Sequence, residues 1–161
     1  MFSPMIRKKQ ALDENECVEI LKNASSGVLA LLGEDGYPYA LPMSFALSGN
    51  SIYFHCAIRG HKLDCIRNES RASFCVTDRD EVVPQEFTTL YRSVIVFGKM
   101  TILLEKEDIA HAARTLAEKY CPQETAKTVE SAIDGAVGRM LALRLDIEHI
   151  TGKQAGGLVK K

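Results

Sequence analysis

The chain has 161 residues, 46% of them hydrophobic and 25% charged, enough apolar material for one substantial core. A formal net charge of -1 gives no basic field for nucleic acid, and no apolar run approaches the ~20 residues that span a bilayer. Arg7, Lys8 and Lys9 near the start are not followed by an apolar stretch, so no export signal is read and a cytoplasmic location is expected.

The predicted elements begin with a helix over about 13–24. Asp13 is placed to cap it, Glu16 to reach back in a capping box, and Cys17, Ile20, Leu21 and Ala24 follow helical spacing. Leu12, just before the cap, can pack on Cys17 as a hydrophobic staple. Val28–Leu32 reads as a strand, Glu34-Asp35-Gly36 as a hairpin turn, and Tyr37–Leu47 as a returning strand. Pro38 and Pro42 confine that second strand to an edge or to irregular pairing. Ser48-Gly49-Asn50 turns the chain into a third strand, where Ile52, Phe54 and Cys56 share one face and Tyr53 and His55 take the other.

A short helix is expected from Gly60 to Arg67, then a strand over Arg71–Thr77 and a fifth over Ser93–Leu104, with Gly98 marking a bulge or bend. Glu107–Tyr120 is the clearest helix, with Ile109, Ala113, Leu116, Ala117 and Tyr120 along one side. A further short helix falls between Glu124 and Ile133. Leu141, Leu143, Leu145 and Ile147 then alternate with Ala142, Arg144, Asp146 and Glu148 in a half-buried strand. Thr151-Gly152-Lys153 reads as a closing turn and 154–161 as a loose tail. With no repeat and no linker, residues 1–161 form a single predicted domain, its barrel at about 26–150. The fold class is α+β, mostly β: a six-stranded antiparallel barrel with peripheral helices.

Cys17, Cys56, Cys65, Cys75 and Cys121 are odd in number, widely spread and without a C-x-x-C pair, so most are read as small buried hydrophobes. No metal site is expected: His55 and Cys56 are adjacent on a strand and point to opposite faces, and no ligand pair has structural-zinc spacing. No G-x-S-x-G, H-E-x-x-H or G-x-G-x-x-G motif occurs, so neither hydrolytic nor dinucleotide-fingerprint chemistry is indicated and no catalytic residue is assigned.

The most informative stretch is Ile52–Asp64, a strand that runs into Gly60 and opens a helix with Arg59, His61 and Lys62 at its start. The free N–H groups and dipole of a helix N-terminus favour an anion, and Lys62 adds a full charge. Two readings stand on spacing alone: a phosphate site, or a solvated basic helix start. Arg92 precedes the apolar strand Val94–Gly98 and is either a surface residue or a contact for an anionic ligand.

In order, these segments resemble the FMN-binding split-barrel family that includes pyridoxamine 5'-phosphate oxidase, and within it the nitroimidazole-resistance branch. The blocks that carry the resemblance are Gly27–Ala30 with Tyr37–Pro42, Tyr53–Ala57 with Gly60-His61-Lys62, Phe74-Cys75-Val76, Tyr91–Gly98 and Ile150–Lys153, spanning about residues 2–154. The resemblance implies a split barrel of Greek-key type and a homodimer with FMN at the subunit interface. By position, Leu41, Pro42, Met43 and Ser44 would line the flavin ring. The Phe54, His55, Cys56 and Ala57 backbone would run beside it, and Gly60, His61 and Lys62 would hold the phosphate. Tyr91, Arg92, Ser93 and Lys153 would approach from the partner subunit.

One departure bears on substrate. The arginine-rich, tryptophan-containing C-terminal block of the pyridoxamine-phosphate oxidases has no counterpart, since the chain contains no Trp. Vitamin B6 oxidation is therefore not expected. The first functional expectation is an FMN-dependent oxidoreductase that passes electrons from NAD(P)H to a nitroaromatic or other small-molecule electron acceptor. The alternatives are a flavin-storing module without its own substrate, and a haem-binding split barrel with His55 or His61 as axial ligand.

Overall fold

The computed structural model describes residues 2–136 and 138–159. Its strands are β1 (Ala11–Leu12), β2 (Gly27–Leu32), β3 (Pro38–Met43), β4 (Ala46–Ser48), β5 (Ser51–Ala57), β6 (Arg71–Val83), β7 (Thr88–Leu103) and β8 (Met140–Gln154). The helices are α1 (Glu14–Asn23), α2 (His61–Asn68), α3 (Lys106–Tyr120) and α4 (Ala126–Ala136). Every strand pairing is antiparallel, and the main path runs β3-β2-β6-β7-β8-β5-β4, with β1 added against β8.

The two ends of this path, β3 and β4, are consecutive in the chain and separated only by Ser44 and Phe45. So short a link forces the sheet to coil until its ends meet. No ladder joins β3 to β4 or β5 among the described residues, so the barrel is split by a seam. Phe45, fully buried, fills the space inside that seam and packs edge-on against Phe74 (centroids 4.8 Å), which in turn meets Phe54 at 5.2 Å. Leu29, Ile52, Val76, Val94, Val96, Leu143 and Leu145 complete the core, and α1 and α2 add Ile20, Leu21, Leu63 and Ile66.

The local chemistry follows the residue pattern. Asp13 accepts from the Glu16 N–H at 2.8 Å, and the Glu16 carboxylate accepts from the Asp13 N–H at 3.0 Å, closing the capping box. Gly36 takes φ +82° in the β2–β3 turn. Both prolines lie in β3, an edge strand that pairs only with β2. Gly98 sits at a register shift, Phe97 opposing His149 and Gly98 opposing Ile147, with Glu148 as the extra residue. A Cβ there would fall 2.0 Å from the Asp146 carbonyl oxygen.

Several expectations are corrected. Tyr37–Leu47 is two strands at opposite ends of the sheet, because the strand breaks at Ser44 and Phe45, where Phe45 turns into the core at the seam. The fourth strand continues past Thr77 to Val83 and the fifth begins at Thr88, forming a long hairpin around a 3-10 turn at Pro84–Glu86. Cross-strand pairing carries its polar residues, which alternation could not mark. Thr151-Gly152-Lys153 is strand, clamped between β1 and β7, and Gly156–Leu158 forms a 3-10 turn after the buried Ala155. Among the described residues the sheet therefore has eight strands. On α3 the buried positions are Ala110, Ala112, Thr115 and Leu116, while Ile109, Ala113 and Ala117 are only partly covered. Ala142, expected on the solvent side of β8, is buried with Leu103 and Ala112 where α3 covers the outer face. Among the described residues no helix is long and apolar enough to cross a membrane.

Candidate functional site

The seam decides where a ligand can meet backbone. β4 pairs only with Ser51, Ile52 and Tyr53, whereas β5 continues to Ala57. Along Phe54, His55, Cys56 and Ala57 one edge of β5 therefore has no strand beside it among the described residues. The outer edge of β3 is likewise unpaired by a strand. Two runs of sheet edge thus flank the seam, offering N–H donors and C=O acceptors that no ladder consumes.

At one end of this seam α2 begins. Gly60 is its N-cap, at φ +144° and ψ 155°, a backbone conformation natural only to glycine, and no side chain caps the helix. The N–H groups of the first turn point outward from an exposed corner that carries Arg59, His61 and the half-buried Lys62. The His61 ring packs edge-on against Tyr39 of β3 at 4.7 Å, and its Nε2 lies 3.5 Å from the Cys65 Sγ. This contact fixes the start of α2 against the β3 side of the seam. Burial pushes the Cys56 thiol above its usual range, and the Lys62 charge pulls it partly back. Among the described residues Arg59 and Lys62 have no carboxylate partner.

The sequence-predicted residues divide into two groups. Leu41, Pro42, Met43 and Ser44, the 54–57 edge and Gly60–Lys62 border the seam and its α2 end. Within that group Leu41 and Phe54 turn their side chains into the core, so they can present only backbone to a ligand. Pro42 and Ser44 are exposed and Met43 half-buried. Tyr91, Ser93 and Lys153 lie elsewhere, on the outer face of β7 and β8: Ser93 is opposite Lys153, whose Nζ stands 5.7 Å from the Tyr91 ring centre.

Arg92 parts from its neighbours. It shares the inward face with the buried Val94 and meets Asp78, the extra residue at the β6 bulge, at 3.5 Å. Its Nε is buried with no hydrogen-bond partner among the described residues. Residue alternation places Arg92 opposite in direction to Tyr91 and Ser93, a distinction the sequence motif alone did not make.

The two groups share one surface. Opposed residues in a ladder point the same way, so Pro42, Val28, Cys75, Ile95 and Thr151 form a single outward row across β3, β2, β6, β7 and β8. Val28 is 42% and Ile95 37% exposed, and Leu32 on the same face of β2 is 41% exposed. Pro42 is three strand spacings, about 14 Å, from Ile95 along this row.

Cys17, Cys56 and Cys65 are buried, Cys75 is half-buried and Cys121 is exposed; all are free thiols. Among the described residues no group of three or more His, Cys, Asp or Glu side chains is close enough to hold a metal ion. Sequence reasoning missed Tyr39, Asp78 and Tyr120. The Tyr39 contact was accessible from strand alternation, since Tyr39 and Leu41 share a face; the other two depend on a bulge and on a contact across the fold.

An antiparallel sheet coiled into a barrel and left open along one seam, with a helix starting at its end, defines the split-barrel class. The sequence pattern of the pyridoxamine 5'-phosphate oxidase family matches residues 13–154, and the chain belongs to that family. No curated protein matches the sequence. Among solved structures, a conserved hypothetical protein of Mycobacterium tuberculosis is similar at TM-score 0.82 and 20% identity, covering 98% of this chain and 94% of that one. A candidate 5-nitroimidazole antibiotic resistance protein of Bacteroides thetaiotaomicron is similar at TM-score 0.74 and 18% identity, covering 89% and 86%. A FAD-binding protein of Mesorhizobium loti is similar at TM-score 0.66 and 25% identity, covering 91% and 98%.

Proposed function

We propose that this chain binds a flavin, FMN, along the seam and works as an oxidoreductase that passes electrons from NAD(P)H to a small-molecule electron acceptor of nitroaromatic type. The observation that carries the reading is the unpaired edge of β5 at Phe54–Ala57, running toward the uncapped start of α2. A flavin needs a slot for a flat ring, hydrogen bonds to the ring's polar margin and a phosphate clamp. The free edges of β3 and β5 supply backbone donors and acceptors at no side-chain entropy cost. The first-turn N–H groups of α2, with Lys62 and Arg59, supply the clamp.

When bound, the flavin supplies the hydride and electron chemistry. The chain's own residues then need only bind and orient. Gly60 lets the backbone approach an anion, His61 is held by Tyr39, and Pro42 and Met43 offer apolar surface beside the seam. The likeness to a FAD-binding protein from Mesorhizobium loti supports a flavin. The likeness to a candidate nitroimidazole resistance protein supports the acceptor class.

The same reading includes a homodimer. The outward row of Pro42, Val28, Cys75 and Ile95 offers an apolar sheet face, and a second copy seated on it would bring its own Tyr91, Ser93 and Lys153 toward the seam.

An absorption spectrum of the purified protein before and after adding FMN is the test. Flavin bands that stay with the protein through gel filtration are expected, followed by bleaching when NAD(P)H is added without oxygen. Retained flavin without bleaching would leave a storage module. A Soret band would replace FMN by haem, and no retained chromophore would overturn the reading.

A further inference from the structure

The β6–β7 hairpin runs past the rest of the sheet. β2 leaves β6 at Cys75 and β8 leaves β7 at Arg92, so from Asp80 and Tyr91 to the tip the two strands pair only with each other. On the inward face the 3-10 turn Gly156–Leu158 lies beside Leu90, and the Ala155 N–H donates to the Tyr91 carbonyl at 2.9 Å. The outward face lacks such cover: Val82 is 68% exposed. At the tip, Phe87 is the one non-glycine residue with positive φ (+48°) among the described residues, and it is 98% exposed. A two-stranded arm with a bare apolar tip is marginal in water by itself.

The outward residues of the arm continue the apolar row across the sheet. Beyond Cys75–Ile95 come the outward pairs Thr77–Ser93, Asp80–Tyr91 and Val82–Thr89; in the other direction come Ser73–Phe97 and Arg71–Lys99. Asp80 is exposed and has no cationic partner among the described residues. Arg71 and Lys99 are exposed cations that pair on their own surface with Glu69 and Glu148. From Ile95, β7 extends about 23 Å to Thr88 on the hairpin side and about 27 Å to Leu103 on the other, at ~3.3–3.4 Å per residue. Leu104, just past that far end, is 69% exposed.

A second copy can sit on this face in two directions. With its strands parallel, both arms leave the dimer at one end, Asp80 lies beside its own counterpart, and Phe87 stays bare. With its strands antiparallel, the two-fold axis runs along the row Pro42, Val28, Cys75, Ile95 and Thr151. Residues on the axis then meet their own counterparts, and none of these is charged. Each outward pair meets the pair equally far on the other side, so Asp80–Tyr91 falls on Arg71–Lys99 and the tip falls beside Leu104. Given the homodimer proposed above, we infer that the hairpin is a clasp between copies: Asp80 meets the partner's Arg71 and Lys99, and Phe87 covers the partner's Leu104.

Sedimentation equilibrium of the full chain, joined to cross-linking, is the test. Asp80→Lys should weaken the dimer by about tenfold. Lys99→Asp should weaken the wild type yet strengthen the Asp80→Lys variant, a reversal of sign that only a direct contact gives. In a Cys121→Ser background, Phe87→Cys chains mixed with Leu104→Cys chains should form a disulfide-linked heterodimer under mild oxidation. The two positions stand at opposite ends of β7, too far apart to join within one chain. Unchanged dimer affinity in Asp80→Lys, or Phe87→Cys linking to itself and not to Leu104→Cys, would overturn the clasp and leave the homodimer standing. A wild-type chain that stays monomeric would remove both, and flavin retained by that monomer would leave the seam as the flavin site.

Discussion

The Tyr120 hydroxyl, at the end of α3, lies 2.9 Å from the Phe45 backbone nitrogen, 75 residues earlier in the chain. It accepts from that N–H, and its own proton is directed between the Ser25 carbonyl at 2.6 Å and the Phe45 carbonyl at 2.8 Å. Phe45 is where the chain passes from one end of the sheet to the other, so one phenol ties α3 to the link that closes the seam. Lys119 adds to this knot: its ammonium sits 3.9 Å from the Phe45 ring centre and donates to the Leu21 carbonyl at 3.2 Å. Burial there pulls the Lys119 pKa below the ordinary lysine value.

Removing that hydroxyl should therefore loosen the seam. Tyr120→Phe leaves the ring in place and the Phe45 N–H without its partner, which should cost about 1–3 kcal/mol in urea unfolding. A loss within error of zero would mean that solvent replaces the hydroxyl.

Lys62→Ala tests the clamp. The substitution removes a half-exposed cation at the start of α2 and should weaken FMN by roughly 1.5–3 kcal/mol, read by flavin fluorescence titration. Thermal unfolding of the flavin-free chain should not move. Unchanged FMN affinity would remove Lys62 from the site.

The outward sheet face is tested by Val28→Glu. Val28 lies in the middle of the apolar row, and a carboxylate there would have to be desolvated against a second copy. Sedimentation should show a dimer for the wild type and a monomer for the variant. A wild-type monomer would remove the dimer from the proposed function.

Cys17 carries a pH prediction. Burial, followed by the nearby Glu16, Asp13 and Glu14 charges, pushes its thiol from 9.0 up to about 11. The folded state therefore holds the proton more tightly than the unfolded state. Its stabilising contribution is complete below pH 9, falls as the unfolded thiol ionises, and is gone once the pH passes about 11. Denaturation midpoints should decline across that window less steeply in Cys17→Ala than in the wild type, after allowing for the other buried thiols. Parallel declines would exclude Cys17 as a source.

Local patterns marked much of this fold. The capping box at Asp13 and Glu16, the turn at Gly36 and the alternation of Ile52, Phe54 and Cys56 each depend on residues a few positions apart. The edge placement of β3 was legible for the same reason: two prolines remove ladder donors wherever the strand lies. Gly60-His61-Lys62 was legible as a helix start with positive charge. The hairpin of β6 and β7 was not, because Asp78–Asp80 and Thr88–Thr89 become strand only through pairing with each other.

The sequence by itself determined the short elements, the antiparallel class and the family, because capping, alternation and motif order are carried by neighbours in the chain. Only the tertiary structure decided that Tyr37–Leu47 breaks at Phe45, that Arg92 faces inward while Tyr91 and Ser93 face outward, and that β4 leaves the Phe54–Ala57 edge open. These are properties of how distant segments meet, and coiling the sheet until β3 and β4 approach creates them all at once, since a seam exists only when both of its edges are in place.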